Sequence, residues 1–189
     1  MTPHALQGGF AEVPLQSARA FRAALTALSR PGTITSVSGA SPPAPLSVAA
    51  GVLVLTLCDG TTPLFLGPSL NTPDLRDWIA FHTGAPAAPP GKAAFALATW
   101  SDLQPLGRFV LGTPDYPDRS ATLIIEVADL RNEGARLSGP GIEHEARLSL
   151  PDLAAFQINN ALFPLGFDAF LTCGNRIAGL PRSTKVEAA

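Results

Sequence analysis

One segment constrains the fold more than any other. Leu46–Leu57, LSVAAGVLVLTL, is apolar on nearly every side. Periodicity alone does not separate a buried helix from a buried strand here, but the length of the run favours a helix. A helix without a polar face must be covered on most sides, so the chain has to build layers around it. The means are present: of 189 residues, 46% are apolar and only 15% are charged. That supports a sizeable core and leaves charged surface below the usual share, which points to a surface partly covered by a partner.

The rest of the chain reads as short elements punctuated by 19 prolines and 17 glycines. Leu15–Leu28 is an amphipathic helix, with Leu15, Ala18, Phe21, Leu25 and Leu28 on the expected core face and Arg19, Arg22 and Thr26 opposite. It stops at Arg30-Pro31-Gly32. GTITSV and TPLFLG are short strands. Thr72, Pro73 and Asp74 make a helix start, and Gly84 ends that helix after His82. AAFALATW and ATLIIEV are strands, and SDLQPLGRF between them is a short helix capped by Ser101. ARLSGPGIEHEARLSL is a pair of strands joined at Ser138-Gly139-Pro140-Gly141. Pro151 opens a helix through Phe156, Ile158 and Leu162. DAFLTCG and RIAGLP close as a hairpin around Gly174-Asn175. Alternating helices and strands, some of them linked by hairpins, predict one α/β domain over residues 1–189: a three-layer α/β/α sandwich with a mixed sheet. Residues 1–9 and 186–189 are expected to be frayed ends.

Several functions are disfavoured by what the chain lacks. A net charge of −2 argues against phosphate-backbone binding, so no nucleic acid is expected. Its start has no basic n-region or apolar h-region, and no apolar run reaches the length of a spanning helix. With two separated cysteines, Cys58 and Cys173, this predicts a reduced, cytoplasmic, membrane-free protein. His4, His82 and His144 are scattered without metal-ligand spacing, and no metal is expected. His82 at a helix end has a structural role through the helix dipole. No phosphate-binding glycine loop is present. Cys173 ends an apolar run, where a core cysteine is commoner than a nucleophile. Pyridoxal phosphate needs a buried lysine, whereas Lys92 lies on a surface turn and Lys185 near the C-terminus; no cofactor is expected. Arg182 and Lys185 in PRSTK, with two hydroxyls, are the candidate substrate-binding residues for a phosphate or phosphonate; a solvated strand end is the alternative. No catalytic constellation stands out.

The ordered set FRAALTALSRPGTI, LTLCDGTTPLFL, FHTGAP, LSGPGI and FPLGFDAFLTCGNRIAGLPRSTKVE, from about Phe10 to Glu187, resembles the PhnH family of bacterial carbon–phosphorus lyase subunits. Phe167 and Ser183 depart mildly, standing where an aliphatic residue and a threonine are expected. The resemblance implies a core assembly with the PhnG, PhnI and PhnJ subunits. That assembly, with the PhnL subunit, makes ribose 1-phosphonate 5-triphosphate from ATP and an alkylphosphonate during phosphonate catabolism. It also implies a shortened pyridoxal-phosphate-transferase fold without the cofactor, and catalysis placed mainly on another subunit.

Three readings follow. The chain is a non-catalytic or supporting subunit, self-associating as a homodimer when alone. Alternatively it lends Arg182 or Lys185 to a shared active site. The third is a stand-alone small-anion binder.

Overall fold

The computed structural model describes residues 6–189; His4 and the first five residues of the expected frayed start lie outside that range. In chain order the elements are α1 (Val13–Ser29), β1 (Thr35–Ser36), α2 (Val48–Leu57), β2 (Leu64–Leu66), α3 (Pro73–Thr83), β3 (Phe95–Thr99) and β4 (Thr122–Glu126). There follow β5 (Ala135–Ser138), β6 (Ala146–Leu148), α4 (Leu153–Ala161), β7 (Asp168–Cys173), β8 (Arg176–Leu180) and β9 (Lys185–Glu187).

A mixed six-stranded sheet of order β1-β8-β7-β4-β3-β2 divides the molecule. Strands β2, β3, β4 and β7 run parallel, and β8 is antiparallel to both its neighbours. Side chains alternate across it. Leu97, Ile124, Phe170 and Ile177 meet α1, α2 and α3, while Ala98, Leu123, Ile125, Leu171 and Leu180 meet the opposite layer. Burial on both faces is why the central strands read as continuous apolar runs.

The second outer layer corrects the α/β/α expectation. It holds one helix, α4, together with a three-stranded antiparallel sheet of order β6-β5-β9. Three-residue and four-residue segments with period two bury Leu137, Leu148 and Val186 on one side and keep charges outside. Such segments are too short for a helix to bury a comparable stripe. The C-terminal end is accordingly not frayed through residue 187: Val186 pairs with Leu137, and Arg136 forms an ion pair with Glu187 at 2.8 Å. At the other end, Gly8 is tied down by the Ser41 N–H donating to its carbonyl at 2.8 Å.

α1 is turned over relative to the expectation. Its buried residues are Ala20, Ala24 and Ala27, and Leu15, Phe21 and Leu25 are 46%, 48% and 52% exposed. The reason is close approach to the sheet. Gly179 on β8 faces the helix, and a Cβ there would lie 2.5–2.6 Å from the backbone of Ala27 and Leu28. A helix that close to a strand can present only small side chains to it.

Two local readings also change. SDLQPLGRF forms two separate 3-10 turns, Ser101–Leu103 and Leu106–Arg108, with Trp100 at the first cap position, because Pro105 cannot donate into a continuing helix. The cap of α4 is Asp152, whose carboxylate accepts from the Ala155 N–H at 3.1 Å, one residue after Pro151. Thr72 caps α3 as expected, and Gly84 leaves it in the left-handed conformation at φ +68°.

Candidate functional site

The two cationic residues of PRSTK take different places. Arg182 leaves β8 pointing inward, with its side chain 11% exposed. Its Nε donates to Asp168 Oδ1 at 3.2 Å and Nη2 to Asp168 Oδ2 at 2.7 Å and to the Ser120 hydroxyl. Nη1 donates to the carbonyls of Pro117 at 2.7 Å and Pro164 at 3.4 Å. A guanidinium has five N–H donors, and these contacts use all of them. Arg182 thus joins the loop at 117–120, the turn after α4 and the start of β7. Lys185 is exposed on β9, with Nζ 2.9 Å from Glu187 Oε1. The hydrogen bond and charge of Lys185, then the charge of Arg136, hold the Glu187 carboxyl below the usual glutamate range.

A second site lies at the carboxyl ends of the parallel strands, where α/β sheets generally receive ligands. β4 ends at Glu126, which accepts the Ser47 N–H at 2.7 Å and the Thr172 hydroxyl at 3.1 Å. Ser47 is the cap of α2: its hydroxyl accepts from the Ala50 N–H at 3.1 Å, and the Ala49 N–H donates to the Gly174 carbonyl at 2.9 Å. The first N–H groups of a helix are a ready anion site. Here a carboxylate, a hydroxyl and a carbonyl of the chain itself occupy three of them, those of Ser47, Ala50 and Ala49. Burial pushes the Glu126 carboxyl above the ordinary glutamate range despite the bonds from Ser47 and Thr172.

Close by, a crevice of about 270 Å³ is lined by Trp100, Glu126 to Asp129 and Ser149 to Pro151. Trp100 stacks on Phe156 with ring centroids 5.4 Å apart. Arg176 donates to the Leu130 carbonyl at 3.0 Å. Its Nη2 lies 3.9 Å from Asp129 Oδ1 and 3.9 Å from Cys173 Sγ. Cys173 itself donates to the Ala128 carbonyl at 3.5 Å.

A thiol nucleophile needs a general base within reach. Cys173 has a carbonyl and a guanidinium beside it. His82 lies elsewhere, against Gln7, Trp78 and Phe81, and His144 is on the surface next to Glu143. Cys58 is buried, and burial, with Asp59 adding to it, pushes its thiol up to about 12, which keeps it protonated and inert. No cluster of metal-ligating side chains occurs among the described residues, and none of their helices is long and apolar enough to cross a membrane. Sequence reading missed Glu126. The available signal was a lone carboxylate ending the apolar strand ATLIIE.

The fold defines a class: a layered α/β domain built on a mixed six-stranded sheet. The comparisons then give the family. Residues 8–187 match the family described as bacterial phosphonate metabolism protein (PhnH), and the chain belongs to it. It is 40% identical over 189 residues to the alpha-D-ribose 1-methylphosphonate 5-triphosphate synthase subunit PhnH of Rhizobium meliloti (strain 1021), covering 95% of this chain and 94% of that protein. It is 34% identical over 175 residues, 88% of this chain and 84% of the relative, to the "Putative C-P lyase subunit protein HtxG" of Stutzerimonas stutzeri.

Proposed function

We propose that this chain is a supporting, non-catalytic subunit of a cytoplasmic carbon–phosphorus lyase assembly. It would act as one domain, with PhnG-, PhnI- and PhnJ-type subunits, in forming ribose 1-phosphonate 5-triphosphate from ATP and an alkylphosphonate. The observation that carries this reading is the outward apolar stripe of α1, Leu15, Phe21 and Leu25. Large apolar side chains left exposed on one helix mark a surface that another polypeptide covers. Family membership supplies the pathway, and the names of both relatives supply the role of subunit. Alone, the chain would cover the stripe by forming a homodimer.

The mixed sheet with its single antiparallel strand β8 supports reading the fold as a shortened pyridoxal-phosphate-transferase fold. The N-terminus of α2, with three of its first four N–H groups bonded within the chain, supports a form of it that holds no cofactor. For the anion contact, Lys185 is the better candidate of the two, because its ammonium is exposed whereas every donor of Arg182 is engaged.

The test is co-expression with the other subunits. Phe21→Asp combined with Leu25→Asp should leave the melting temperature of the isolated chain within the range of a stability change of about 0.5 kcal/mol, as for exposed positions generally. It should also abolish co-purification and leave a monomer in light scattering. Undiminished co-purification of the double variant would remove the α1 stripe as the contact surface, and failure of the unsubstituted chain to co-purify would remove the subunit reading. In the assembled complex, Lys185→Ala should raise the KM for the triphosphate or phosphonate substrate if the chain lends that contact; unchanged kinetics reject it.

A further inference from the structure

Along the β2 edge of the large sheet the backbone alternates in direction. Pro63 and Gly67 turn their polar groups toward β3: Ala94 and Phe95 donate to the Pro63 carbonyl, and Gly67 donates to the Leu97 carbonyl. Leu64 turns outward. Its N–H donates to the Pro86 carbonyl and its carbonyl accepts from the Ala88 N–H, both at 2.9 Å. Residues 86–88 therefore begin a further strand, parallel to β2 at Leu64 and Ala87, and Pro89-Pro90 ends it, since proline cannot continue a ladder. Two residues on, Leu66 faces outward by the same alternation, and its N–H and carbonyl have no partner among the described residues.

Beside this open position lies a groove of about 530 Å³ whose walls include Leu64, Leu66, Ile79, Ala80 and Ala85. Arg76, exposed and holding the Asn71 side-chain carbonyl at 3.0 Å, also lines it. Asp77, on the same wall, is already engaged within the chain. On the opposite face of β2 a second cation, Arg108, sits with its guanidinium carbon 5.1 Å from the Phe65 ring centroid. The edge is thus apolar, carries Arg76 beside an Asp77 that is already engaged, and offers an unpaired donor and acceptor at peptide spacing.

We propose that the groove receives a short extended segment of a partner polypeptide. That segment continues the strand begun by residues 86–88, seats an apolar side chain against Ile79 and Ala80, and sets a carboxylate on Arg76. This rests on the reading of the chain as a subunit and adds how the partner is recognised. Backbone pairing supplies affinity in strand addition, and side-chain pockets supply selectivity. A small molecule fits less well, because pockets for such ligands converge several polar side chains on a point, whereas the polar groups here are spaced along a strand edge. A second copy cannot fill the place through its own β2. The free edge is bounded by Gly67-Pro68 on one side and residues 86–88 on the other, too short for two such edges to form a ladder.

Hydrogen–deuterium exchange on the co-purified assembly, against the isolated chain, tests this together with two substitutions at exposed positions, Ala80→Trp to fill the groove and Arg76→Glu to reverse its charge. The expected result is at least tenfold slower exchange in peptides covering 64–67 on assembly. Affinity for the remaining subunits should fall at least tenfold with Ala80→Trp and severalfold with Arg76→Glu, at unchanged melting temperature of the free chain. If the assembly forms, α1 becomes protected, and 64–67 exchanges as in the free chain while Ala80→Trp assembles normally, the groove proposal is overturned and the subunit reading stands. Protection of 64–67 that appears in the isolated chain on raising its concentration assigns the groove to a second copy and overturns the proposal. Failure to co-purify at all removes the subunit reading and the proposal with it.

Discussion

α1 and α2 cover the same face of the large sheet, and both are rich in apolar residues, yet they use them in opposite ways. α2 buries Ala49 through Val54 without a gap, because it is enclosed by the sheet, α1 and α3. α1 buries alanines and turns Leu15, Phe21 and Leu25 to the outside. Apolar content and period are therefore sufficient to find a helix but not to say which of its sides meets the core. For α1 that choice follows from how near the helix must lie to β8, and Gly179 sets that distance.

The comparison can be broken most sharply inside α2. Leu53 is fully buried, so Leu53→Ala should cost about 2–5 kcal/mol in denaturant unfolding, as for other buried leucines. Leu25→Ala on α1, measured alongside, should cost about 0.5 kcal/mol or less. Equal costs would mean that the α1 stripe is covered within the folded chain.

A smaller effect sharpens the account of α1. Gly179→Ala puts a methyl group against the backbone at Ala27 and Leu28, which α1 can relieve only by moving away. Overpacking of this kind costs about 1–3 kcal/mol. An unchanged unfolding midpoint would show that close approach to β8 is not what selects the alanine face.

The smallest effect concerns the N-terminus of α2. Because burial raises the Glu126 carboxyl above its unfolded value, the folded chain keeps that proton over an interval where the unfolded chain has lost it. Stability from this group is therefore greatest at low pH and falls as pH rises through the interval between the two values. Glu126→Gln keeps an acceptor for the Ser47 N–H and removes the charge. It should flatten the pH dependence above the ordinary glutamate range and change stability at neutral pH by about a few tenths of a kcal/mol, in the stabilising direction. Thermal melts between mildly acid and neutral pH check this; a slope unchanged by the substitution would remove Glu126 as its source.

Legibility in the sequence followed the range of the forces involved. The starts and stops of α3, the Gly174-Asn175 hairpin and the buried character of α2 rest on neighbours a few residues away, and each is where the sequence places it. β9 reads as a frayed tail in the sequence because its partner β5 lies about fifty residues earlier and nothing local announces the pairing. The same holds at the sites. Arg182 advertises charge in the sequence, but only the fold brings Asp168, Ser120, Pro117 and Pro164 around it and consumes its donors. Glu126 acquires its meaning from Ser47, far away in the chain.

The amino-acid order alone determined that this protein layers helices on a mixed sheet, that α2 must be enclosed, and that charge is sparse. These are consequences of burying apolar surface and of turn chemistry, which act locally or in bulk. Which face of α1 looks outward, what fills the N-terminus of α2 and where the β2 edge stays open were decided only in three dimensions. Each depends on a distance between segments remote in sequence, and a packed interior admits only those side chains that such distances leave room for.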